Sequence, residues 1–391
     1  MIVRQFISWI KTAPAGERAE ATRALARAWL ISDLTEEDRT AAEGALLMQL
    51  DDASPLVRQA MAEVFARSLE APAAIVQALS VDQPSVALPI LEHSPLLIDA
   101  DLVDIVATGN SETQCAIARR INLPASVCAA IAEVGTAEAA LELIENAFAE
   151  LGPFSWDRIV ERHGHLAAIR ESMLVLEDLP GATRLALVAK LSETLAQFVV
   201  ARNWLSADRA ERVASEALDR STVNIAAASR GDDMQGLVRH LRVTSQLTAG
   251  LILRALLSGN VELFEAALAE LSELPRSRVA ALLHDRGGAS LSALLKRAGL
   301  PESTFAAFRI ALEADREIGF VDTVGGVARL RRRMVERVLT HCETDDRAAE
   351  PLLILLRRFA TESAREEARL FCDELIAEEA IAPAQYGLIA A

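Results

Sequence analysis

Apolar positions recur three and four residues apart along most of the chain and never alternate for long. Leu25, Trp29 and Leu30 fall on one helical face, as do Leu46, Leu47 and Leu50. With few aromatic or β-branched clusters, this spacing predicts an all-α protein. Prolines supply the punctuation: six of the 13 lie between Pro55 and Pro124. Proline fits the first turn of a helix but not its interior, so regularly placed prolines predict short helices that start near them.

Two of these starts are alike. Asp52-Ala-Ser-Pro55-Leu-Val57-Arg58 is echoed by Asp82-Gln-Pro84-Ser-Val86, with Asp or Ser side chains placed to accept first-turn N–H groups. Further units are expected at Gly109-Asn-Ser-Glu-Thr113 and, more loosely, at Gly135-Thr-Ala-Glu138. A second motif, Leu-Pro-x-Ser, occurs at Leu123-Pro124, Leu274-Pro275 and Leu300-Pro301, with a degenerate copy at Leu179-Pro180. The leucine is expected to pack back on the helix that the proline opens. Ala129, Ala280 and Ala306, five residues past each proline, are expected to admit a neighbouring helix closely. Helical pairs repeating at about 26–30 residues predict an α-solenoid, because no single pair can bury its own apolar face. The expected sections are 1–150, N-terminal repeats; 151–230, a middle helical section; 231–320, further hairpin repeats; and 321–391, C-terminal helices with Arg-rich then acidic segments.

Composition narrows the function classes. The 391 residues carry 56 acidic and 40 basic side chains, a net charge of -16, so nucleic-acid binding is not expected without a segregated basic patch. Nearly all the positive charge is arginine; the lysines are Lys11, Lys190 and Lys296. Cys115, Cys128, Cys342 and Cys372 form no C-x-x-C pair and are expected to be small buried thiols in a reducing cytosol. The longest runs without a charge, Ile121–Ala132 and Ala380–Ala391, fall short of the roughly twenty apolar residues of a membrane span. Met1–Ile10, broken by Arg4, Gln5 and Ser8, makes a poor secretory signal, so a cytoplasmic location is expected.

The run Asp-Ala-Ser-Pro-Leu-Val-Arg from Asp52, followed by Ser94-Pro95-Leu96-Leu97-Ile98-Asp99-Ala100-Asp101-Leu102-Val103, resembles a family of HEAT-like proteins common in alphaproteobacteria and known only as a domain of unknown function. Met1–Arg27 and Arg158–Ile169 also look typical of it, and the resemblance covers most of the chain. It implies HEAT-like helical hairpins, a bacterial cytoplasmic setting and a binding role, and brings no activity or cofactor with it.

Few clusters suggest chemistry. His163 and His165 would point about 200° apart on a helix and do not share a metal there. G-x-S-x-G, H-E-x-x-H and P-loop patterns are absent. Gly287-Gly288 before a helix start suits an anion cradle, although a turn between helices is the commoner use. Arg329, Arg332, Arg333 and Arg337 share one helical face, opposite Val327, Leu330, Met334 and Val338. That face is a candidate contact for a partner or an anion, with the acid-rich tail able to neutralise it internally or between subunits. The Arg329–Arg333 spacing is similar to that of cyclic-dinucleotide sites, but the rest of that motif is missing. Ile2, Phe6, Trp9 and Ile10 line one face of an N-terminal helix beside Arg4 and Lys11, a candidate membrane contact or an ordinary covering helix.

The expected function is that of a non-enzymatic cytoplasmic scaffold or regulatory adaptor that binds a protein partner and self-associates through its last helices. Peripheral membrane association through the N-terminal helix and arginine cluster is the first alternative. A nucleotide-responsive sensor with a pocket between the middle and last sections is the second. No residue is expected to be catalytic, to bind a cofactor or to hold a metal.

Overall fold

The computed structural model describes residues 2–284, 289–318, 326–344 and 349–386, of which 2–4, 318, 326–327 and 378–386 are described by their backbone alone. Every regular element among them is helical, and one isolated bridge joins Leu123 to Ala149. No described helix is long and apolar enough to cross a membrane. The chain divides into two compact units, Met1–Leu179 and Pro180–Ala391.

The N-terminal unit is built from short helices: α1 (Ile2–Ile10), α2 (Ala15–Ile31), α3 (Glu36–Gln49), α4 (Pro55–Phe65), α5 (Ala73–Ser80), α6 (Pro84–His93), α7 (Asp99–Thr108), α8 (Ser111–Ala118), α9 (Ala125–Val134), α10 (Ala137–Glu145), α11 (Pro153–His163) and α12 (Ala167–Val175). Pro55, Pro84 and Pro153 open their helices in the first turn, where no N–H partner is lost. Pro89 departs from the expected pattern and sits inside α6, so one intrahelical hydrogen bond is missing there. Thr35, Asn110 and Thr136 cap α3, α8 and α10 by accepting an N–H three residues on.

Even-numbered helices pack on one another in sequence from α2 to α12, and α7, α9 and α11 form a second file. Their shared interior holds Met61, Phe65, Ile75, Leu79, Ile90, Leu91, Ile117, Leu123 and Ile131, all fully buried. Each such side chain contributes about 1.5–3 kcal/mol by leaving water.

Polar bonds tie successive pairs together. Arg18 donates to both carboxylate oxygens of Asp52 at 2.8 and 2.7 Å, and Arg58 does the same to Asp82 at 2.5 and 3.0 Å. Further along, arginines reach helix-end carbonyls instead. Arg120 donates to Leu91 and Ser94 at 2.5 and 2.6 Å, and Arg162 to Ala132 and Gly135 at 2.8 Å each. Last-turn carbonyls have no partner within their own helix, so these bonds complete them.

The C-terminal unit comprises α13 (Gly181–Ala201), α14 (Ala207–Ala228), α15 (Gly231–Val243), α16 (Ala249–Leu257), α17 (Val261–Ser272), α18 (Arg276–His284), α19 (Ala289–Arg297), a 3-10 turn (Glu302–Thr304), α20 (Phe305–Ile318), α21 (Gly326–Thr344) and α22 (Glu350–Tyr386). One core gathers Ile252, Leu256, Phe264, Leu295, Phe308, Val338 and Leu356, with the Phe264 and Phe308 rings stacked at 5.8 Å. A second gathers Leu185, Val223, Met234, Leu237 and Leu251. At Gly181 an added Cβ would lie 2.7 Å from Ser229 Oγ, so a larger residue there requires the Ser229 side chain to move.

Of the Leu-Pro-x-Ser copies, Leu123 and Leu300 are buried and Leu274 is half-buried. The alanines five residues past the prolines are only half-buried. Close packing falls one residue earlier in the first two copies, on Cys128 and Val279. Met334 and Val338 of the expected α21 stripe are buried and Leu330 is half-buried, while the side chain of Val327 lies outside the described residues. The cysteines divide: Cys128 and Cys342 are buried, Cys115 is half-buried and Cys372 is exposed.

The Arg58 guanidinium holds the Asp82 carboxyl below the usual carboxylate range. Such a group stabilises the fold fully above its unfolded value of about 3.9 and loses that stabilisation as pH falls through the depressed folded value. Asp82→Asn is therefore expected to cost about 1 kcal/mol in urea unfolding at neutral pH. The gap to the native protein should close in acid; a pH-independent gap would refute the account. Burial pushes the Cys128 thiol up to about 11. A thiol reagent near pH 8 should label Cys372 first and Cys128 only on unfolding; equal rates would contradict this packing.

Candidate functional site

In the N-terminal unit, hydrogen bonds bring the C-terminal ends of successive even-numbered helices together. Arg67 reaches His93 at 3.0 Å, Arg120 reaches the Ser94 carbonyl, Asn146 reaches the Ala118 carbonyl at 2.7 Å, and Ser172 reaches Glu145 at 3.1 Å. Each of these ends carries a large apolar side chain facing water. Ile31 and Val175 are the last residues of α2 and α12. Leu69, Ile98, Ile121 and Phe148 follow α4, α6, α8 and α10. All six are 60–82 % exposed. Single exposed apolar residues are ordinary, but one at the same end of each helical pair makes a row. Its signal in the sequence is an apolar residue at the end of each even-numbered helix or in the turn that follows it.

In α1, which packs on α3, Ile10 is buried, Phe6 is half-buried and Trp9 is 41 % exposed. The side chain of Ile2 lies outside the described residues, as do Gly287 and Gly288. His163 is half-buried near the Gly135 carbonyl, and burial, with Arg162 beside it, lowers its pKa; His165 is exposed. Among the described residues no three His, Cys, Asp or Glu side chains group to hold a metal.

The arginine face of α21 meets acids on neighbouring helices. Arg329 and Arg332 reach Glu367 of α22 at 3.4 and 2.9 Å, Arg332 also bonds Glu336 at 2.7 Å, and Arg337 bonds Glu317 at 2.5 Å. Arg333 is exposed, without an ion pair to a described residue. The Arg332 bond, more than any other contact, holds the Glu367 carboxyl below its usual range.

Within the same unit, α14, α16, α21 and α22 enclose a cleft of about 700 Å³. Its floor is Arg254, 8 % exposed, in a helix whose residues Leu251–Leu257 are otherwise apolar and all buried. The Arg254 guanidinium lies 4.3 Å from the Phe359 ring centre. Its Nη1 donates to both Glu362 oxygens at 2.9 Å, and Arg220 adds a third bond to that carboxylate at 2.6 Å. Burial pushes the Glu362 carboxyl up, but Arg254 and Arg220 outweigh it and leave it below its usual range. Asp219, with no hydrogen bond among the described residues, is pushed up by burial. The Nε–H groups of Arg254 and Arg331 are closed off from solvent and have no hydrogen-bond partner among the described residues. On the cleft wall, Arg365 and Arg369 stand one turn apart on α22, exposed and unpaired among the described residues. The expected arginine face omits Arg254 and Arg331. A lone charge inside Leu-Ile-Leu-Arg-Ala-Leu-Leu was the available signal for Arg254.

Arg254→Ala would leave the half-buried Glu362 carboxylate with Arg220 as its one arginine partner and remove the cover from Phe359. It is expected to lower unfolding stability by about 2–4 kcal/mol, measured by urea denaturation. A loss no larger than that of an ordinary surface substitution would show that the pair carries no structural weight.

No curated protein and no solved structure matches the chain. Residues 86–348, about two thirds of its length, match the family described as an uncharacterised protein conserved in bacteria, DUF2336. The chain belongs to that family.

Proposed function

We propose that the protein is a non-enzymatic scaffold or regulatory adaptor of the bacterial cytoplasm, with an N-terminal unit of HEAT-like helical pairs that takes a protein partner along its apolar edge. The repeat reading is supported by the next-but-one packing of α2 to α12 and by the recurring Arg–Asp and arginine–carbonyl bonds between successive pairs. The observation that carries the partner reading is the row Ile31, Leu69, Ile98, Ile121, Phe148 and Val175. A partner fitted to it is an extended polypeptide segment whose own apolar side chains fall at intervals matching the pairs, because each contact point sits on a separate helical end. Such a row contributes little to folding, since its side chains remain in water. Covering it removes apolar area from solvent at about 25 cal/mol per Å².

The test compares the full chain with a triple variant, Ile98→Ser, Ile121→Ser and Phe148→Ser. All three positions are exposed, so the melting temperature should hold. A protein captured from bacterial lysate by the native chain and then purified should bind the triple variant at least tenfold more weakly. If every captured protein binds both chains equally, the edge is not the docking surface.

A further inference from the structure

The cleft of the C-terminal unit holds more cation than its own acids neutralise. Seven arginines line it, Arg220, Arg254, Arg331, Arg357, Arg358, Arg365 and Arg369, against the four acids Glu216, Asp219, Glu362 and Glu366. In a chain of net charge -16 this excess is local and runs against the whole. The internal pairs are already assigned. Arg220 and Arg254 share Glu362, Arg331 takes Glu366, Arg358 takes Glu216, and Arg357 takes Glu343 of α21, outside the cleft lining. Arg365 and Arg369 remain, exposed and unpaired among the described residues.

Arginine forks match the oxygen spacing of a phosphate. The volume of about 700 Å³ exceeds what a single phosphate fills and lies in the range of small organic ligands. Val223, Ile354 and Leu355 add an apolar stretch, and Asp219 and Asn224 add polar atoms beside it.

We infer that this cleft binds a nucleotide, its phosphates against Arg365 and Arg369, and its base along Val223 and Leu355 within reach of Asp219 and Asn224. Each of these residues lies in the C-terminal unit, so the site is independent of the apolar edge.

Calorimetry and thermal melting of the full chain with ATP, GTP, pyrophosphate, adenosine and guanosine, at about 0.1 M salt with chelator present, test it. ATP or GTP is expected to bind and raise the melting temperature, pyrophosphate to bind at least tenfold more weakly, and the nucleosides to give no signal. The double variant Arg365→Ala, Arg369→Ala should melt like the native chain without ligand, because both side chains are exposed. It should bind the nucleotide roughly tenfold or more weakly, as for the loss of charge-assisted hydrogen bonds. Asp219→Asn should change the ratio of ATP to GTP affinity. Three results overturn the assignment: no binding of either triphosphate at millimolar concentration, pyrophosphate binding as tightly as the triphosphates, or a double variant that binds like the native chain.

Discussion

A helix of eight to ten residues does not hold itself together in water, because its first turn fixes many dihedral angles for one hydrogen bond. The N-terminal unit consists largely of such helices; α5 and α8 have eight residues each. Their stability has to come from neighbours, and two kinds of contact supply it. Fully buried Val, Ile, Leu and Phe side chains provide the free energy. Arginine and asparagine bonds to helix-end carbonyls remove the cost of leaving those groups dry. Neither suffices alone. Burial brings helix ends out of water, and completing them fixes how one pair meets the next.

This division gives arginine a use at four positions that lysine would not fill. Arg18, Arg58, Arg120 and Arg162 each make two directed bonds at once, to two carboxylate oxygens or two separate carbonyls. A lysine ammonium is a point charge on a flexible stem and does not span such pairs of acceptors in a fixed plane. The arginine content, readable from the sequence as mere base composition, thus has a structural use at these positions. Burial lowers the pKa of Arg120, the cost of placing its charge among carbonyls with no carboxylate to meet it.

Local rules carried the reading of the fold a long way and then failed for identifiable reasons. Pro55 and Pro84 marked helix starts because first-turn sterics are local. Pro89 did not, because tertiary packing of Val86, Ala87, Ile90 and Leu91 holds α6 together across the missing bond. The alanines past each Leu-Pro were offset by one from the buried position, since the direction of a helix face depends on where its neighbour lies. The arginine face of α21 was visible by periodicity, but its partners Glu317, Glu336 and Glu367 were not, because only folding decides which acids face it. Arg254 was overlooked for a related reason: attention to runs of charge passes over a single charge in an apolar helix.

That single charge is the most informative residue in the C-terminal unit. Replacing a buried ion pair by well-packed apolar side chains is often neutral or stabilising, because desolvation offsets much of the attraction. Every neighbour of Arg254 from Leu251 to Leu257 is apolar and buried, so a leucine at this position would continue the pattern of α16. The fold alone therefore gives no reason for a guanidinium there, still less for one whose Nε–H lacks a partner. Arg254 orders the cleft instead. It fixes Glu362, which fixes Arg220 in turn, and it lies against Phe359, which sets one face of α22. A buried cation held this rigidly fixes the shape and charge of the cleft floor through Glu362 and Phe359.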